Sequence, residues 1–325
     1  MRQPEFWTRN DPASQLMAAL LSPLGFVYGA SIAWKKQTLK PYRSRAAVIC
    51  VGNLTIGGSG KTPIAIAIAQ MLQQKGIRVT FLTRGYGRRS SGAIQVNPEL
   101  HDAAAVGDEA LLLARTASTI VSADRAEGAR LAEQQGVDVI VMDDGYQNFS
   151  LAKDVSLVVV DGDSGFGNGR IIPAGPLREN VQRGLERADA IVLTGNGSPP
   201  LPDFARPILR AHLTSDRHFD ESARIAFAGI GRPDKFFATL RAQGAHLAGT
   251  HSFADHHAYS AADIAMLRAT ADKAGAILIT TEKDFVRLGA NDRAGIDTLS
   301  VCAVFDDPAA LDRVLTPITM QKTIS

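Results

Sequence analysis

The sequence predicts an α/β fold built on a doubly wound, mostly parallel sheet, and three observations lead to this prediction. Short apolar runs of strand length alternate with helical segments between residues 46 and 160. A glycine-rich turn joins the first apolar run directly to a helix. The apolar runs at residues 137–142 and 155–160 are each followed by aspartate. Strands that alternate with helices favour a parallel sheet whose ligands bind at the carboxyl ends of the strands.

The segment at residues 51–72, VGNLTIGGSGKTPIAIAIAQML, is the most specific chemical signal in the chain. A predicted strand at residues 46–51 leads into GGSGKT, and a helix opens at Pro63. The N–H groups of such a turn, together with the helix N-terminus, surround phosphate oxygens. Lys61 is expected to reach the terminal phosphates of a nucleotide, and Thr62 to offer its hydroxyl to Mg²⁺. The segment therefore predicts a fold of the P-loop NTPase type.

The first position of this loop departs from the usual pattern. That pattern begins with glycine five residues before the glycine–lysine pair, where this chain has Thr55. The alternative is a glycine turn that precedes a helix by chance, with an unrelated lysine. The sequence context favours a nucleotide site. The residues expected to line it are Thr55, Ile56, Gly57, Gly58, Ser59, Gly60, Lys61 and Thr62.

An acidic partner for the phosphate loop follows about eighty residues later. Four apolar residues at positions 139–142 end in Asp143 and Asp144. A hydrophobic strand of this kind holds a carboxylate near Mg²⁺ in P-loop NTPases. A strand that ends in Asp-Asp-Gly is also common as a plain turn. The combination with the loop favours Asp143, and less strongly Asp144, as Mg²⁺ ligands.

Two further groups of polar residues stand apart from the loop. Asp108 and Glu109 open a predicted helix, where the simpler interpretation is stabilisation of the helix dipole. In the other half of the chain, Asp255, His256 and His257 lie within the segment FADHHAY. A metal cluster, a capping or surface pair, and a histidine that assists proton removal from a hydroxyl are the three alternatives for that segment.

The N-terminal region contains a long uncharged stretch. Residues 13–34 carry no charged side chain, and five basic residues follow, up to Arg45. A helix of 22 residues would span roughly 33 Å at 1.5 Å per residue, about the thickness of a bilayer core. Pro23, Gly25 and Gly29 are expected to interrupt it. A helix lying in the membrane interface, with its basic flank on anionic headgroups, is therefore favoured over a true span or an ordinary packed helix.

Length and composition favour two compact units after this segment. The 325 residues exceed one average domain, and a hydrophobic content of 45% supports a sizeable core. The proline-rich stretch at residues 195–203 is the best linker. We predict a membrane-associated helical segment at residues 1–40, a nucleotide-binding domain at 41–200 and a smaller α/β domain at 201–325. A net charge of +2 gives no indication of nucleic-acid binding, and Cys50 and Cys302, far apart, are expected to be small buried residues.

Seven segments of the chain form a distinctive series. They are VGNLTIGGSGKTP, TRGYGRR, VGDEALLLA, VMDDGYQN, IIPAGPLRE, FADHHAY and TTEKDFVRL. Together they resemble the tetraacyldisaccharide 4'-kinase family, the lipid A 4'-kinases, over nearly the whole length. The resemblance accounts for Thr55, because the loop of this family is similar to GNxTxGGxGKTP. It does not establish whether TTEKDFVRL is catalytic or only structural.

The resemblance implies an activity and a location. It implies a glycolipid kinase that transfers the γ-phosphate of ATP, with Mg²⁺, to the 4'-hydroxyl of tetraacyldisaccharide 1-phosphate in lipid A biosynthesis. The enzyme would work at the cytoplasmic face of the bacterial inner membrane, with its N-terminal helix on that surface. No protein partner is implied.

The resemblance also implies roles for particular residues. Asp108 would activate the sugar hydroxyl, and His256, rather than His257, would pair with it across the cleft between the two units. Lys61 would hold the phosphates, while Thr62 and the two aspartates would position Mg²⁺. Because arginine forks match phosphate geometry, further candidates for binding ATP or the substrate phosphate are Arg84, Arg88 and Arg178.

A different class of protein remains as an alternative. The GGSGKT core also resembles that of partitioning-type ATPases, which are membrane-associated switches. Those proteins carry lysine immediately before the two glycines, where this chain has Ile56. A GTPase is disfavoured because the sequence has no Asn-Lys-x-Asp guanine motif.

Overall fold

The chain forms two α/β units, each built around its own sheet. The computed structural model describes residues 4–9, 11–86, 88, 91–215 and 217–320. The larger sheet has nine strands and the smaller has four. The predicted α/β class, with a mostly parallel sheet and a second smaller unit, is confirmed.

The larger sheet is parallel except at its two edges. The strands from β8 to β4 run parallel, whereas β13 and β3 pair antiparallel at opposite edges. Their order in space is β13 (Cys302–Phe305), β8 (Ile208–Thr214), β7 (Ala190–Thr194), β6 (Val155–Asp161), β1 (Ala47–Gly52), β5 (Val139–Asp143), β2 (Val79–Thr83), β4 (Ser118–Val121) and β3 (Ile94–Gln95).

The smaller sheet is parallel throughout. Its order is β10 (Leu247–Ser252), β9 (Arg224–Ala228), β11 (Ile277–Thr281) and β12 (Ile296–Leu299). The helices along the chain are α1 (Pro12–Thr38), α2 (Lys61–Gln74), α3 (Ala103–Val106), α4 (Asp108–Leu113), α5 (Arg125–Gln134), α6 (Val181–Leu185), α7 (Pro233–Ala242), α8 (Ala261–Ala274), α9 (Glu282–Arg287) and α10 (Pro308–Met320).

Helix spacing and capping explain how the helices lie on the sheets. In α2, Ile64, Ile68 and Leu72 recur every four residues and are fully buried against one face of the larger sheet. Asp124 caps α5 by accepting hydrogen bonds from the amides of residues 126 and 127. Ser260 begins α8 with a complete capping box. These caps explain why the two helices begin where they do.

Helix α1 is continuous, so the prediction that prolines and glycines interrupt it is wrong. Pro23 lies inside the helix. A side chain at Gly25 would place its Cβ 2.7 Å from the carbonyl oxygen of Ile171, and one at Gly29 would lie 2.9 Å from the Ile171 side chain. The glycines therefore allow α1 to pack closely on the segment at residues 170–178, which we call the strap.

Most of α1 faces away from the protein. Among the described residues, α1 is the one helix long and apolar enough to cross a membrane, judged by length and composition. Its exposed large apolar side chains are Leu16, Met17, Leu20, Leu24, Phe26, Val27, Tyr28 and Trp34. A helix of this kind at the surface favours association with a membrane.

The sheets do not divide the chain at residue 200. Strands β8 and β13, both from the predicted 201–325 unit, hydrogen-bond within the larger sheet. The chain therefore leaves the larger unit after β8, builds the smaller sheet, and returns at β13. Cys302 is exposed on the edge strand β13, so its predicted burial is wrong, whereas Cys50 is buried in β1.

A larger side chain at Gly25 should loosen α1 from the strap. We expect Gly25→Ala to lower the melting temperature, because overpacking against a backbone carbonyl costs about 1–3 kcal/mol. Thermal unfolding in detergent measures the effect, with Ala19→Leu, on the exposed side of the same helix, as control. Equal melting temperatures for the Gly25 variant and the natural chain would contradict the close packing.

Candidate active site

The phosphate loop is held in shape by its glycines and by hydrogen bonds from neighbouring strand ends. Gly57 and Gly60 have φ of 114° and 82°, a conformation that residues with a Cβ rarely adopt. Gly60 is the N-cap of α2. The Asn53 side chain donates to the Ser59 hydroxyl at 3.1 Å, and the Thr194 hydroxyl donates to the Ser59 carbonyl at 3.1 Å. Strand ends on either side of the loop therefore fix it.

The strap explains why the loop tolerates threonine where the usual pattern has glycine. Thr55 forms a bridge with Leu177, and the Ile56 amide donates to the carbonyl of Pro176 at 2.8 Å. Thr55 is not among the described residues with positive φ. Its backbone is paired rather than turned sharply, so a β-branched residue fits.

Thr62 and Asp143 form the candidate Mg²⁺ site. The Thr62 hydroxyl donates to Asp143 Oδ2 at 2.8 Å, and Asp143 is 1% exposed. Burial raises the pKa of Asp143 to about 7, and the nearby Glu109 carboxylate adds to this. Asp143 Oδ1 is buried without a hydrogen-bond partner in the described structure. A buried carboxylate with a free oxygen beside a hydroxyl fits a divalent cation.

The small number of protein ligands at this site favours Mg²⁺ that is bound partly by the phosphates of the substrate. The described residues contain no group of three or more His, Cys, Asp and Glu side chains that could hold a metal. Mg²⁺ is usually bound through one or two carboxylates together with substrate phosphates and water. Thr62 and Asp143 are the residues that would supply the protein's part of such a site.

Asp144 lies beside the same strand end and is paired with cations. Its φ is 52°, and Arg178 contacts both of its oxygens, at 2.8 and 3.2 Å. Lys61 Nζ lies 3.9 Å from Asp144 Oδ1. Burial alone would raise the pKa of Asp144, but the charges of Lys61 and Arg178 lower it below its usual value. The loop lysine is therefore held in place by a carboxylate that stays ionised.

Asp108 forms a second cluster with residues from the smaller unit. His256 Nδ1 lies 3.2 Å from Asp108 Oδ2, and Arg287 donates to the same oxygen through Nε, at 2.8 Å, and Nη2. Burial would raise the pKa of Asp108, but the hydrogen bond with His256 and the charge of Arg287 lower it well below its usual range. The hydrogen bond to Asp108 raises the pKa of His256. The structure thus brings the predicted pair together.

His257 and two of the three predicted arginines have different surroundings. His257 Nε2 lies 3.1 Å from Asp263 Oδ2, and its ring stacks on Phe253. Arg88 donates to the carbonyls of Val121 and Gly92. Arg84 is exposed, and Gly87 and Arg89 of the basic loop lie outside the described residues. Of the three predicted arginines, Arg178 is the one in contact with the nucleotide-side carboxylates.

Sequence reasoning missed Arg287 and the role of Glu109. Lys283 donates to Glu109, and Arg287, one turn later on α9, donates to Asp108. Both cations come from TTEKDFVRL, which is one of the seven segments that resemble the kinase family. That resemblance was the signal in the sequence that could have pointed to them. Its spacing of four residues places both on one face of a short helix.

Comparison with known proteins decides the family. The family model for tetraacyldisaccharide-1-P 4'-kinase matches residues 17–319. The tetraacyldisaccharide 4'-kinase of Paramagnetospirillum magneticum is 50% identical over 96% of this chain and 97% of its own length. That of Rhodospirillum rubrum is 47% identical over 97% of both chains. The chain belongs to the tetraacyldisaccharide 4'-kinase family.

A solved structure agrees with this family and with the fold. LpxK from Aquifex aeolicus, crystallised in complex with ATP, is 29% identical and superposes with a TM-score of 0.78. The match covers 93% of this chain and 99% of that one. The predicted family, fold class and enzyme class, a glycolipid kinase, are confirmed, and the partitioning-type ATPase is not favoured.

The raised pKa of Asp143 predicts how stability depends on pH. The folded-state pKa is about 7, above the ordinary value of 3.8. The free energy of unfolding therefore falls as pH rises from 3.8 to about 7, because the buried carboxyl stays protonated in the folded state only. Above about pH 7 the whole of this loss of stability is present. We expect the melting temperature of Asp143→Asn, relative to the natural chain without nucleotide, to increase from pH 5 to pH 8.

The control for this measurement is Asp203→Asn, at an exposed position, which should show no such trend. In the presence of Mg²⁺ and ATP the natural chain should gain more stability than Asp143→Asn. If the melting temperatures of Asp143→Asn and the natural chain differ by the same amount from pH 5 to pH 8, the raised pKa of Asp143 is contradicted.

Proposed function

We propose that the chain transfers the γ-phosphate of ATP to the 4'-hydroxyl of tetraacyldisaccharide 1-phosphate, in lipid A biosynthesis. The observation that carries the proposal is an ionised, buried carboxylate at the same sheet edge as the phosphate loop. Strands β2 and β5 are parallel neighbours. Gly107 packs against Gly85, directly after β2, and so brings Asp108 to the edge where Asp143 ends β5.

The donor half of the site aligns the nucleotide. Lys61 binds and neutralises the terminal phosphate oxygens, and the backbone amides of the loop surround them. Thr62 and Asp143 would hold Mg²⁺, with Asp144 beside them. When bound, Mg²⁺ neutralises charge on the phosphates. Phosphoryl transfer needs alignment and charge neutralisation more than covalent chemistry, and these residues supply both.

The acceptor half activates the sugar hydroxyl. Asp108 accepts the proton of the 4'-hydroxyl, and His256, held at 3.2 Å from it, assists as its partner. Arg178 is the arginine best placed to contact a phosphate, because it contacts Asp144 in the donor half. We assign Arg84 and Arg88 more weakly to the acceptor phosphate, since Arg88 already donates to two backbone carbonyls.

The exposed face of α1 supports a place on a membrane. The acceptor carries four acyl chains, so the enzyme must meet it at a lipid surface. We propose that α1 lies at the cytoplasmic face of the bacterial inner membrane, where ATP is available. The basic residues Lys35 and Lys36, in the last turn of the helix, would face anionic headgroups.

Kinase activity tests the proposed function directly. Purified enzyme in detergent should label the disaccharide 1-phosphate with the γ-phosphate of ATP. Asp108→Asn should lower kcat by about 10²–10⁴-fold with little change in ATP affinity, because proton transfer contributes a factor of that size. Lys61→Ala should lower both kcat and the affinity for ATP.

Glu99→Gln, at an exposed position of the larger unit, is the matched control and should behave like the natural chain. ATP hydrolysis without labelling of the glycolipid would reject the kinase in favour of a switch ATPase. Full kcat in Asp108→Asn would remove the assigned role of that carboxylate.

Membrane association tests the placement of α1. Changing Leu20, Leu24 and Val27 together to serine should lower the binding constant for vesicles with anionic lipid about tenfold or more, since each buried aliphatic side chain contributes about 1.5–3 kcal/mol. Flotation measures it. Equal flotation of the variant would contradict the placement. The control changes Leu100, Met266 and Val304, which are exposed elsewhere, to serine.

A further inference from the structure

Arg287 is buried at the junction of the two units and is satisfied on every side. Its side chain is 6% exposed. Nη1 donates to the Gly229 carbonyl at 2.7 Å and to Asp284 Oδ1 at 2.8 Å, while Nε and Nη2 donate to Asp108. The guanidinium therefore joins the smaller unit to one carboxylate of the larger unit with a fixed geometry.

The smaller unit fixes the position of this guanidinium through Asp284. Asp284 is fully buried, and its Oδ1 accepts from the Tyr259 hydroxyl at 2.9 Å and from the Gly229 amide at 3.0 Å. The Thr281 hydroxyl donates to Oδ2 at 2.7 Å. An arginine whose carboxylate partner is itself held by three groups has little freedom to rotate.

The contacts of Asp108 divide unequally between its two oxygens. Oδ2 receives both Arg287 donors and lies beside His256, whereas the contact described for Oδ1 is the Glu109 amide at 2.9 Å. A carboxylate oxygen that already accepts two hydrogen bonds from Arg287 and contacts His256 has little capacity left to accept another hydrogen bond. Oδ1 is then the oxygen with free acceptor capacity.

We propose that Arg287 is the positioning residue of the acceptor half: it holds Oδ2 of Asp108 and thereby directs Oδ1 to the acceptor hydroxyl. This inference rests on the proposed function, in which Asp108 receives the hydroxyl proton. Arg287 touches neither substrate in this arrangement and acts through Asp108. It also keeps that carboxylate ionised, because it places a full positive charge beside it.

The charged groups around Asp108 determine how its pH dependence should change. Arg287 and Lys283 face it from α9, and His256 faces it from the segment after β10. Glu109 follows it on α4 and is paired with Lys283. Loss of Arg287 removes a charge and two hydrogen bonds that favour the ionised form, while the burial that disfavours it remains. The pKa of Asp108 should therefore rise.

A simple tether between the units is the competing role, and the chain offers a matched control for it. Arg115, just after α4, forms an ion pair with Glu282 of α9 at 3.7 Å. This pair also joins α4's end of the larger unit to α9, here with the arginine on the larger unit and the carboxylate on α9, and neither residue is among the contacts described for Asp108. Arg115→Gln therefore removes a cross-unit contact without changing the surroundings of the base.

The experiment compares kinase rates between pH 5 and pH 9 for Arg287→Gln, Arg287→Lys and Arg115→Gln. We expect Arg287→Gln to lower kcat about 10²-fold, as a small misplacement of a reacting group does. The acid limb that belongs to Asp108 lies below pH 5 in the natural enzyme, because the pKa of this carboxyl is well below its usual range. Burial without the guanidinium raises the pKa of a carboxyl by up to about 3–5 units, so the limb should move up into the measured range. Arg287→Lys keeps the charge but not the fork, so it should lower kcat with a smaller shift of the limb.

His256 also titrates, so the same profile is measured in a His256→Gln background. The acid limb should still move when Arg287→Gln is added there, because the shift belongs to Asp108. ATP affinity and far-ultraviolet circular dichroism should stay unchanged in all variants. If Arg287→Gln does not fold, the test uses the Arg287→Lys profile instead. A lowered kcat with the acid limb nearly unchanged in pH would then support the positioning role.

The outcomes separate this inference from the proposed function. An unshifted limb in Arg287→Gln, or equal losses in Arg287→Gln and Arg115→Gln, would make Arg287 a tether and overturn the inference alone. An Arg287→Lys variant with full kcat would also overturn it, because the fork would then be unnecessary. Failure of the natural enzyme to phosphorylate the glycolipid would instead overturn the proposed function.

Discussion

The parallel pairing of β1, β5 and β2 is the constraint on which the site depends. Because parallel strands end at the same edge, the loop after β1, Asp143 at the end of β5 and the turn after β2 share one location. Burying Asp143 there costs stability, as its raised pKa indicates. A divalent cation bound at Asp143 would offset this loss of stability. Buried groups with a shifted pKa are typical of functional sites.

The two halves of the site are built differently. The donor half comes from one sheet, with its loop fixed by Asn53, Thr194 and the strap. The acceptor half spans the two units, since Asp108 and Glu109 belong to α4 while Arg287 and Lys283 belong to α9. A second cross-unit cluster joins Asp161, at the end of β6, to Arg232 and Lys235. Nucleotide geometry is therefore set within one unit, and the geometry of the base depends on the junction.

Local signals predicted much of the fold and part of the site. The phosphate loop and strands β1, β5 and β6 were predictable because glycine turns and apolar runs act over a few residues. Strands β8 and β13 were not assigned to the larger sheet, because their pairing depends on contacts far apart in sequence. Arg287 was missed for the same reason: nothing near it in the chain indicates that it lies on Asp108. The continuity of α1 was missed because Gly25 meets a partner far away in the sequence, at Ile171.

The strap has a geometric consequence for a two-phase reaction. One end of it packs under α1 at Gly25, and the other pairs with the loop at Thr55 and Ile56. With α1 at the lipid surface, the strap acts as a spacer of fixed length between that surface and the γ-phosphate. A soluble donor can approach from any height, but an amphiphilic acceptor is tied to the surface by its chains. In that placement the sugar head would have to reach the height set by the strap, so the strap would contribute to selecting which amphiphiles react.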